Sequence, residues 1–105
     1  MTVGILGDWD LRIKTPIGTL QTVYRFTGSD GAISATATSK SETVPLVDLQ
    51  ITETLDGQRV TWRQSVTKPM RLTLDFEVDV HGDRMSGHSR AGRLPRSAVT
   101  GVRRG

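Results

Sequence analysis

Apolar and polar residues alternate along almost the whole chain, and this period of two limits the possible folds more than any other feature. The clearest run extends from Met70 to Val80, where every second residue is apolar and the residues between are Arg, Thr, Asp or Glu. Such alternation is typical of strands with one buried face. A weak helical spacing near the C-terminal end involves Val, Thr and Gly residues that form helices poorly. The sequence therefore predicts an all-β fold.

Gly, Pro and Asp residues divide this alternation into about eight strands. Turn signals fall at 16–18, 28–31, 39–43, 56–57, 68–69 and 81–82, and a last segment rich in Val and Thr follows from Arg96 to Arg104. Because the connections are short and closure removes exposed edges, we expect an eight-stranded antiparallel up-and-down β-barrel. A β-sandwich is the alternative. With 105 residues, one barrel domain covers residues 1–105.

The register of the hairpins is predictable, because inward residues of paired strands must face each other. Asp56-Gly57 is the strongest hairpin signal and predicts a two-residue turn. The predicted pairs are Ile51 with Trp62, Phe26 with Ile33, Tyr24 with Ala35, Val78 with Met85, and Trp9 near Tyr24. Every predicted hairpin places its large apolar residues on the same face, as a single buried core requires.

The charge is distributed unevenly along the chain. There are 14 Lys and Arg against 11 Asp and Glu, a net charge of +3, yet the segment after Asp83 contains six Arg and no acidic residue. The register predicts acidic neighbours for these arginines: Asp79 near Arg84, Asp75 near His88 and Arg90, and Asp8 and Asp10 near Arg103 and Arg104. We therefore interpret the arginines as structural. Nucleic-acid binding is not expected, because the aromatic residues all fall on inward positions.

Two short motifs at the ends of the chain carry a family resemblance. Gly7-Asp8-Trp9 in the first strand, together with Arg103 in the last, resembles the signature of the calycins, which include lipocalins, fatty-acid-binding proteins and avidins. The resemblance implies a barrel in which Trp9 plugs one end and Arg103, or alternatively Arg104, packs over the indole. The chain is also similar to small uncharacterised bacterial domains that share Thr15-Pro-Ile-Gly18 and the ending Thr100-Gly-Val-Arg103.

A barrel of eight strands is just wide enough to fill with side chains or to hold one small ligand. Polar groups within an apolar wall are typical of a small-molecule pocket. The candidate ligand-binding residues are Thr22, Tyr24, Trp62, Gln64, Phe76, Met85 and Ser89. Small residues at Ala35, Ala37, Gly87 and Ala91 either leave space for a ligand or accommodate the large rings in a solid core. The leading hypothesis is a barrel that binds a small apolar or amphipathic molecule in its interior.

Evidence for catalysis or a metal is weak. The chain has no Cys, which excludes thiolate catalysis and sulfur-ligated zinc. His81 and His88 lack a convergent third ligand, and no motif indicates a cofactor. The alternative is a small barrel cyclase or isomerase without a covalent nucleophile. Its acid or base would be Tyr24, or Glu53 at a barrel mouth.

Apolar runs and outward apolar positions in the sequence lead to expectations about location and assembly. No apolar run approaches the ~20 residues that a membrane span needs, and no secretory leader is evident, so we expect no membrane association and a cytoplasmic location. Outward positions at Val23, Val44 and Ala98 suggest a modest apolar patch. A dimerising interaction module, in which two copies join through this face, is therefore the remaining alternative.

Overall fold

The computed structural model describes residues 4–15, 18–29, 32–40, 42–66 and 72–104, and within these ranges it contains strands and no helix. The strands are β1 (Gly7–Thr15), β2 (Gly18–Ser29), β3 (Ala32–Thr38), β4 (Thr43–Pro45), β5 (Val47–Glu53), β6 (Gln58–Val66), β7 (Leu72–His81), β8 (Arg84–Arg90) and β9 (Ser97–Arg103). The predicted turn residues 16–17, 30–31 and 68–69 lie outside the described residues, as does Met70 at the start of the predicted sixth strand. The all-β prediction is confirmed.

All nine strands form one antiparallel sheet in the order β4-β3-β2-β1-β9-β8-β7-β6-β5. The last strand, β9, pairs with β1, so the first and last strands lie side by side. The two edge strands, β4 and β5, are consecutive in sequence, and β4 also contacts β6. The sheet is therefore an up-and-down barrel that is nearly closed, as the sequence predicts.

The structure has nine strands where the sequence predicts eight, because the predicted fourth strand is divided into β4 and β5. These two strands pair with different partners. Leu46 donates its backbone N–H to the carbonyl of Ala35 on β3 at 3.0 Å. The next residue, Val47, pairs with Arg63 on β6. The ladder is irregular between Val47 and Gln50, and Asp48 adopts a φ of 53° there. A bulge bends a strand and increases its twist, which lets one chain segment bridge both edges of the barrel.

Three hairpin registers differ from the prediction by two residues, although the residues paired in them face inward as predicted. The turn containing Asp56-Gly57 begins at Thr54, whose N–H donates to the Gly57 carbonyl at 2.9 Å. The observed pairs are Ile51 with Val60, Phe26 with Ala35, Tyr24 with Ala37, and Val80 with Met85. Trp9 pairs with Tyr24, as predicted. The errors are in turn length, and a shift of two residues leaves every side chain on its original face.

The two ends of the barrel differ in how deeply their inward residues are buried. On β2, Phe26 is 1% exposed, Thr22 is half-buried and Leu20 is 47% exposed. On β7, Val80 is buried, whereas Leu72 at the other end of the strand is half-buried. The barrel is therefore closed at the end that contains Phe26 and Val80, and more accessible at the end that contains Leu20 and Leu72. We call these the plugged end and the open end.

Candidate functional site

Trp9 is the centre of the plugged end. Its side chain is fully buried, and its indole Nε1 donates a hydrogen bond to the Ile5 carbonyl at 2.8 Å. The guanidinium carbon of Arg103 lies 4.4 Å from the centroid of the indole ring, within the range of a cation–π contact. The indole is thus held between the core on one side and a cation on the other.

Arg103 also ties together three segments that meet at this end. Its side chain donates to the carbonyls of Gly4 and Leu6, which precede β1. It also donates to the carbonyl of Gly82, and its Nε lies 2.8 Å from the Asp83 carboxylate. A planar guanidinium with five donors suits such a position, because several acceptors are satisfied at once.

Gly7 of the Gly-x-Trp motif is required by this arrangement for two reasons. Its φ is +116°, a region that residues with a Cβ atom rarely adopt. A Cβ at this position would also lie only 2.8 Å from an Nη1 atom of Arg103. The glycine therefore permits both the backbone path into β1 and the close approach of the guanidinium.

Four aromatic rings fill the middle of the barrel. Trp62 and Phe76 stack with centroids 4.9 Å apart and planes at 11°, and Tyr24 lies 5.6 Å from Trp62. Phe26 meets Trp62 edge-on at 5.7 Å. The small residues are placed opposite these large ones, with Ala35 beside Phe26 and Ala37 beside Tyr24. At both of these positions the small residue accommodates a ring.

Gly87 has a different role from the alanines. A Cβ at this position would lie 2.0 Å from the Glu77 carbonyl oxygen and 2.6 Å from the Val78 Cα. The residue is therefore needed for a close approach between the β7 and β8 backbones. Ala91, the fourth small residue, is half-buried just beyond the end of β8.

Gln64 is the polar centre of this aromatic core. Its Oε1 accepts a hydrogen bond from the Tyr24 hydroxyl at 2.6 Å and another from the Trp62 Nε1 at 3.0 Å. All three side chains are buried. Burial raises the pKa of Tyr24. The sequence predicts Gln64 on an inward face, but its role as a shared acceptor depends on contacts across the barrel that periodicity does not reveal.

The predicted ligand-binding residues occupy three levels of the barrel. Thr22 is half-buried toward the open end. The middle level contains Tyr24, Trp62, Gln64, Phe76 and Ser89, all buried. Met85 lies in the plugged half, where it pairs with Val80 and its side chain lies over Gly101 beside Leu11. The seven residues therefore all face inward, but they do not surround one common point.

Two open depressions lie on the outside of the barrel. One contains Asp48, Arg63, Asp75, His88 and Arg96, with Trp62 and Phe76 at its base. The other lies over β1 and β2, between Arg12, Gln21 and Lys40. Neither includes Tyr24, Gln64 or Ser89. Charged residues that are already paired dominate the first depression, in which Arg63 lies 2.8 Å from Asp75.

Most of the outer ion pairs differ from those predicted, although Arg90 does lie opposite Asp75 as predicted. Asp79 pairs with Arg59 at 2.9 Å instead of Arg84, and Asp75 pairs with Arg63 instead of His88. Asp8 pairs with Arg25 on β2, and Arg103 pairs with Asp83. Arg104 does lie beside Asp10, at 3.5 Å. The missed partners are on β6, on β2 and in the turn between β7 and β8. The charge pairs were predicted from the β7–β8 hairpin and the β1–β9 contact alone, so neighbours on β6 and β2 were not considered.

The titratable candidates lie apart from one another. His88 is half-buried on the outer face opposite Glu77, and the Nδ1 of His81 lies 3.3 Å from the Asp56 carbonyl oxygen. Among the described residues, no group of three or more His, Asp or Glu side chains is placed to hold a metal ion. Glu53 is exposed and accepts a hydrogen bond from Gln58 Nε2 at 2.6 Å. Because Gln58 pairs with Val80, Glu53 lies at the plugged end, and its predicted place at a mouth is wrong.

The predicted outer apolar patch is discontinuous in the structure. Val44 packs against the core, so its predicted outward orientation is wrong. Val23 does face outward, but Asp10 separates it from the exposed Val102 in the β2–β1–β9 register. No helix in the described ranges combines the length and apolar character required to cross a membrane. No protein-family model matches the chain, and a search of curated proteins finds no relative.

Proposed function

We propose that this barrel binds a small apolar or amphipathic molecule through the end opposite Trp9. The observation that carries the proposal is the difference between the two ends. Inward apolar side chains are sealed beneath Trp9 and Arg103 at one end, but at the other end Leu20, Leu72 and Leu74 remain partly accessible. Inward-facing apolar surface that stays accessible is a natural place for a ligand to gain affinity by burial.

The proposal includes a relationship to the calycins. The support is local and structural: Gly7 leaves room for Arg103, and Arg103 lies over the buried indole of Trp9. This combination of a first-strand tryptophan and a last-strand arginine is what the family resemblance implies. A tryptophan that plugs one end, as the resemblance implies, leaves the opposite end for a ligand, which agrees with the open end here.

The positions of the two candidate acid–base groups, Tyr24 and Glu53, favour binding over catalysis. The Tyr24 hydroxyl donates a hydrogen bond to Gln64, and burial raises the pKa of Tyr24, so the phenol stays protonated at neutral pH. Glu53 is at the plugged end, bonded to Gln58. Neither group is both free to transfer a proton and located at the open end.

A titration with the neutral fluorescent probe N-phenyl-1-naphthylamine tests the proposal. We expect saturable enhancement of the probe's fluorescence, together with a change in tryptophan emission because Trp62 lies in the core below the open end. Thr22→Trp, which adds a large inward side chain near the open end, should weaken binding at least tenfold. The matched control is Gln21→Trp, which places the same indole on the outward face one residue away and should bind as the natural protein does.

Native mass spectrometry of freshly purified protein provides an independent check. A retained small molecule that is absent from the Thr22→Trp variant would support the proposal. Probe binding that is equal in both tryptophan variants would refute it, because the ligand would then be located outside the barrel.

A further inference from the structure

The orientation of the Gln64 amide is determined by its neighbours. An indole N–H is a donor only, so the group that faces Trp62 Nε1 must be the amide oxygen. The Tyr24 hydroxyl donates to the same oxygen. The amide nitrogen, Nε2, therefore points away from both donors. Among the described residues it has no hydrogen-bond acceptor.

This unpartnered nitrogen is inside the barrel. Gln64 is only 3% exposed. Yet every fully buried side-chain nitrogen or oxygen in the described part of the chain has a hydrogen-bond partner. It follows that Nε2 still touches accessible space, although the rest of its side chain is packed. A donor in such a place is ready for an acceptor that comes from outside the protein.

Ser89 presents a second group of the same kind. It is 2% exposed, and its hydroxyl has no partner among the described residues. Ser89 pairs with Phe76, and Gln64 pairs with Leu74. Since Phe76 and Leu74 are consecutive inward residues of β7, the two polar groups flank the same stretch of this strand from opposite sides. The partly accessible Leu74 lies on the side of Phe76 toward the open end.

The positions of the charged side chains limit the charge that a ligand inside the barrel can have. Of the charged side chains in the described ranges, none is fully buried, and Arg103 is engaged at the plugged end. An anion brought to the level of Gln64 would lose its hydration without gaining a cation from these ranges, which is strongly unfavourable. A neutral acceptor has a far smaller desolvation cost and still satisfies an N–H donor.

We propose that the ligand enters with a neutral carbonyl oxygen first, as in an apolar ketone, ester or amide, and that Gln64 Nε2 and the Ser89 hydroxyl donate to this oxygen. The inference rests on the proposed function and specifies its ligand class. An apolar chain or ring attached to the carbonyl would then lie along Leu74 and Thr22 toward the open end. A carboxylate of the same shape would bind more weakly.

Three ligands of similar shape test this inference by competition with N-phenyl-1-naphthylamine: 4-phenyl-2-butanone, n-butylbenzene and 4-phenylbutyrate. For Gln64→Leu, we expect the ketone to lose about tenfold in affinity and butylbenzene to lose nothing, because only the ketone loses a hydrogen bond. Ser89→Ala removes one hydroxyl at little cost in volume and keeps the test valid if Gln64→Leu does not fold. It should weaken ketone binding about threefold and again leave butylbenzene unchanged.

The outcomes separate this inference from the proposed function. If the natural protein binds all three ligands, and both variants weaken ketone and butylbenzene equally or not at all, the carbonyl inference is wrong while binding at the open end stands. Tighter binding of 4-phenylbutyrate than of the ketone at neutral pH also overturns the inference. If the natural protein binds neither the probe nor any of the three ligands, the proposed function fails and this inference fails with it.

Discussion

At the scale of single residues, Arg103 does most to hold the plugged end together. Its guanidinium covers an indole, satisfies carbonyls from the segment before β1, and pairs with Asp83 in the β7–β8 turn. Arg104, the next residue, forms an exposed pair with Asp10 at 3.5 Å. Adjacent residues of the same type thus have very different surroundings, which provides an internal comparison.

We expect Arg103→Ala to lower the free energy of unfolding by about 2 kcal/mol, because it leaves several acceptors unsatisfied and uncovers Trp9. Arg104→Ala should cost less than about 0.5 kcal/mol, since exposed ion pairs contribute little. Urea unfolding monitored by tryptophan fluorescence gives both values. Equal losses in the two variants would mean that Arg103 does not organise the plug.

Gly7 gives a second prediction at this scale. Gly7→Ala combines an unfavourable φ with a Cβ 2.8 Å from Arg103, and we expect it to cost about 2 kcal/mol. Gly92→Ala is the control, because Gly92 also has a positive φ of +57° but nothing lies within 4 Å of the added Cβ. It should cost only about 1 kcal/mol. A smaller loss for Gly7→Ala than for Gly92→Ala, measured by thermal unfolding, would contradict the close contact with Arg103.

Tyr24 predicts a pH dependence. Burial raises its pKa above the ordinary value of 10.0, so above about pH 10 the unfolded phenol ionises while the folded one keeps its proton. The folded state then binds more protons than the unfolded state, and the free energy of unfolding falls by about 1.4 kcal/mol per pH unit as pH rises. Below this range Tyr24 adds no pH dependence.

Urea unfolding between about pH 9 and pH 11.5 checks this prediction, with Tyr24→Phe as the control that lacks the phenol. Because Tyr24 is the only tyrosine in the chain, tyrosinate absorbance near 295 nm reports on it alone. The absorbance should appear only as the protein unfolds. Tyrosinate formation in the folded protein at pH 10 would show that the phenol is not buried with Gln64.

At the scale of the strands, the barrel is weakest where its two edge strands, β4 and β5, meet. We call this place the seam. β1, β8 and β9 each pair along both edges, whereas β4 and β5 each have a paired strand on one edge only. The chain crosses from one sheet edge to the other at Leu46, beside the irregular stretch from Val47 to Gln50. Local opening should therefore begin at this seam.

Amide hydrogen exchange monitored by NMR measures this difference. We expect the amides of β1, β8 and β9 to exchange only through global unfolding, and those of β5 to exchange at least tenfold faster. The β7 strand, which also pairs on both sides, should behave like β8. Protection in β5 as high as that in β9 would indicate that the barrel closes through a continuous ladder at the seam.

Side-chain parity predicted most inward residues correctly, with Val44 as an exception. Turn length was predicted less well: three hairpin registers were wrong, and the pairing of Trp9 with Tyr24 was right. Alternation in β7 identified Phe76, Val78 and Val80 as inward residues, because the two faces of a strand have opposite solvation. The true length of the turn at Asp56-Gly57 is set by its Thr54–Gly57 hydrogen bond, which hydropathy does not encode. Similarly, the inward position of Gln64 was predictable, but its two donors come from other inward positions, one of them on a different strand.

At the scale of the whole molecule, the central feature is a barrel with one end plugged and the other open. The plug joins both ends of the described chain through Trp9 and Arg103, so folding of the plug requires the barrel to be nearly complete. The open end, by contrast, leaves inward apolar surface partly accessible. The plugged end therefore gives the barrel its rigidity, and the open end is where we propose that a ligand binds.

The most direct test is a set of intermolecular NOEs between 4-phenyl-2-butanone and the methyl-labelled protein. We expect NOEs from the ligand to the methyl groups of Leu74 and Thr22, a shift of the Gln64 side-chain amide resonance, and no NOE to Ile5 at the plugged end. NOEs confined to Ile5, or to the outward-facing Val102, would contradict binding at the open end.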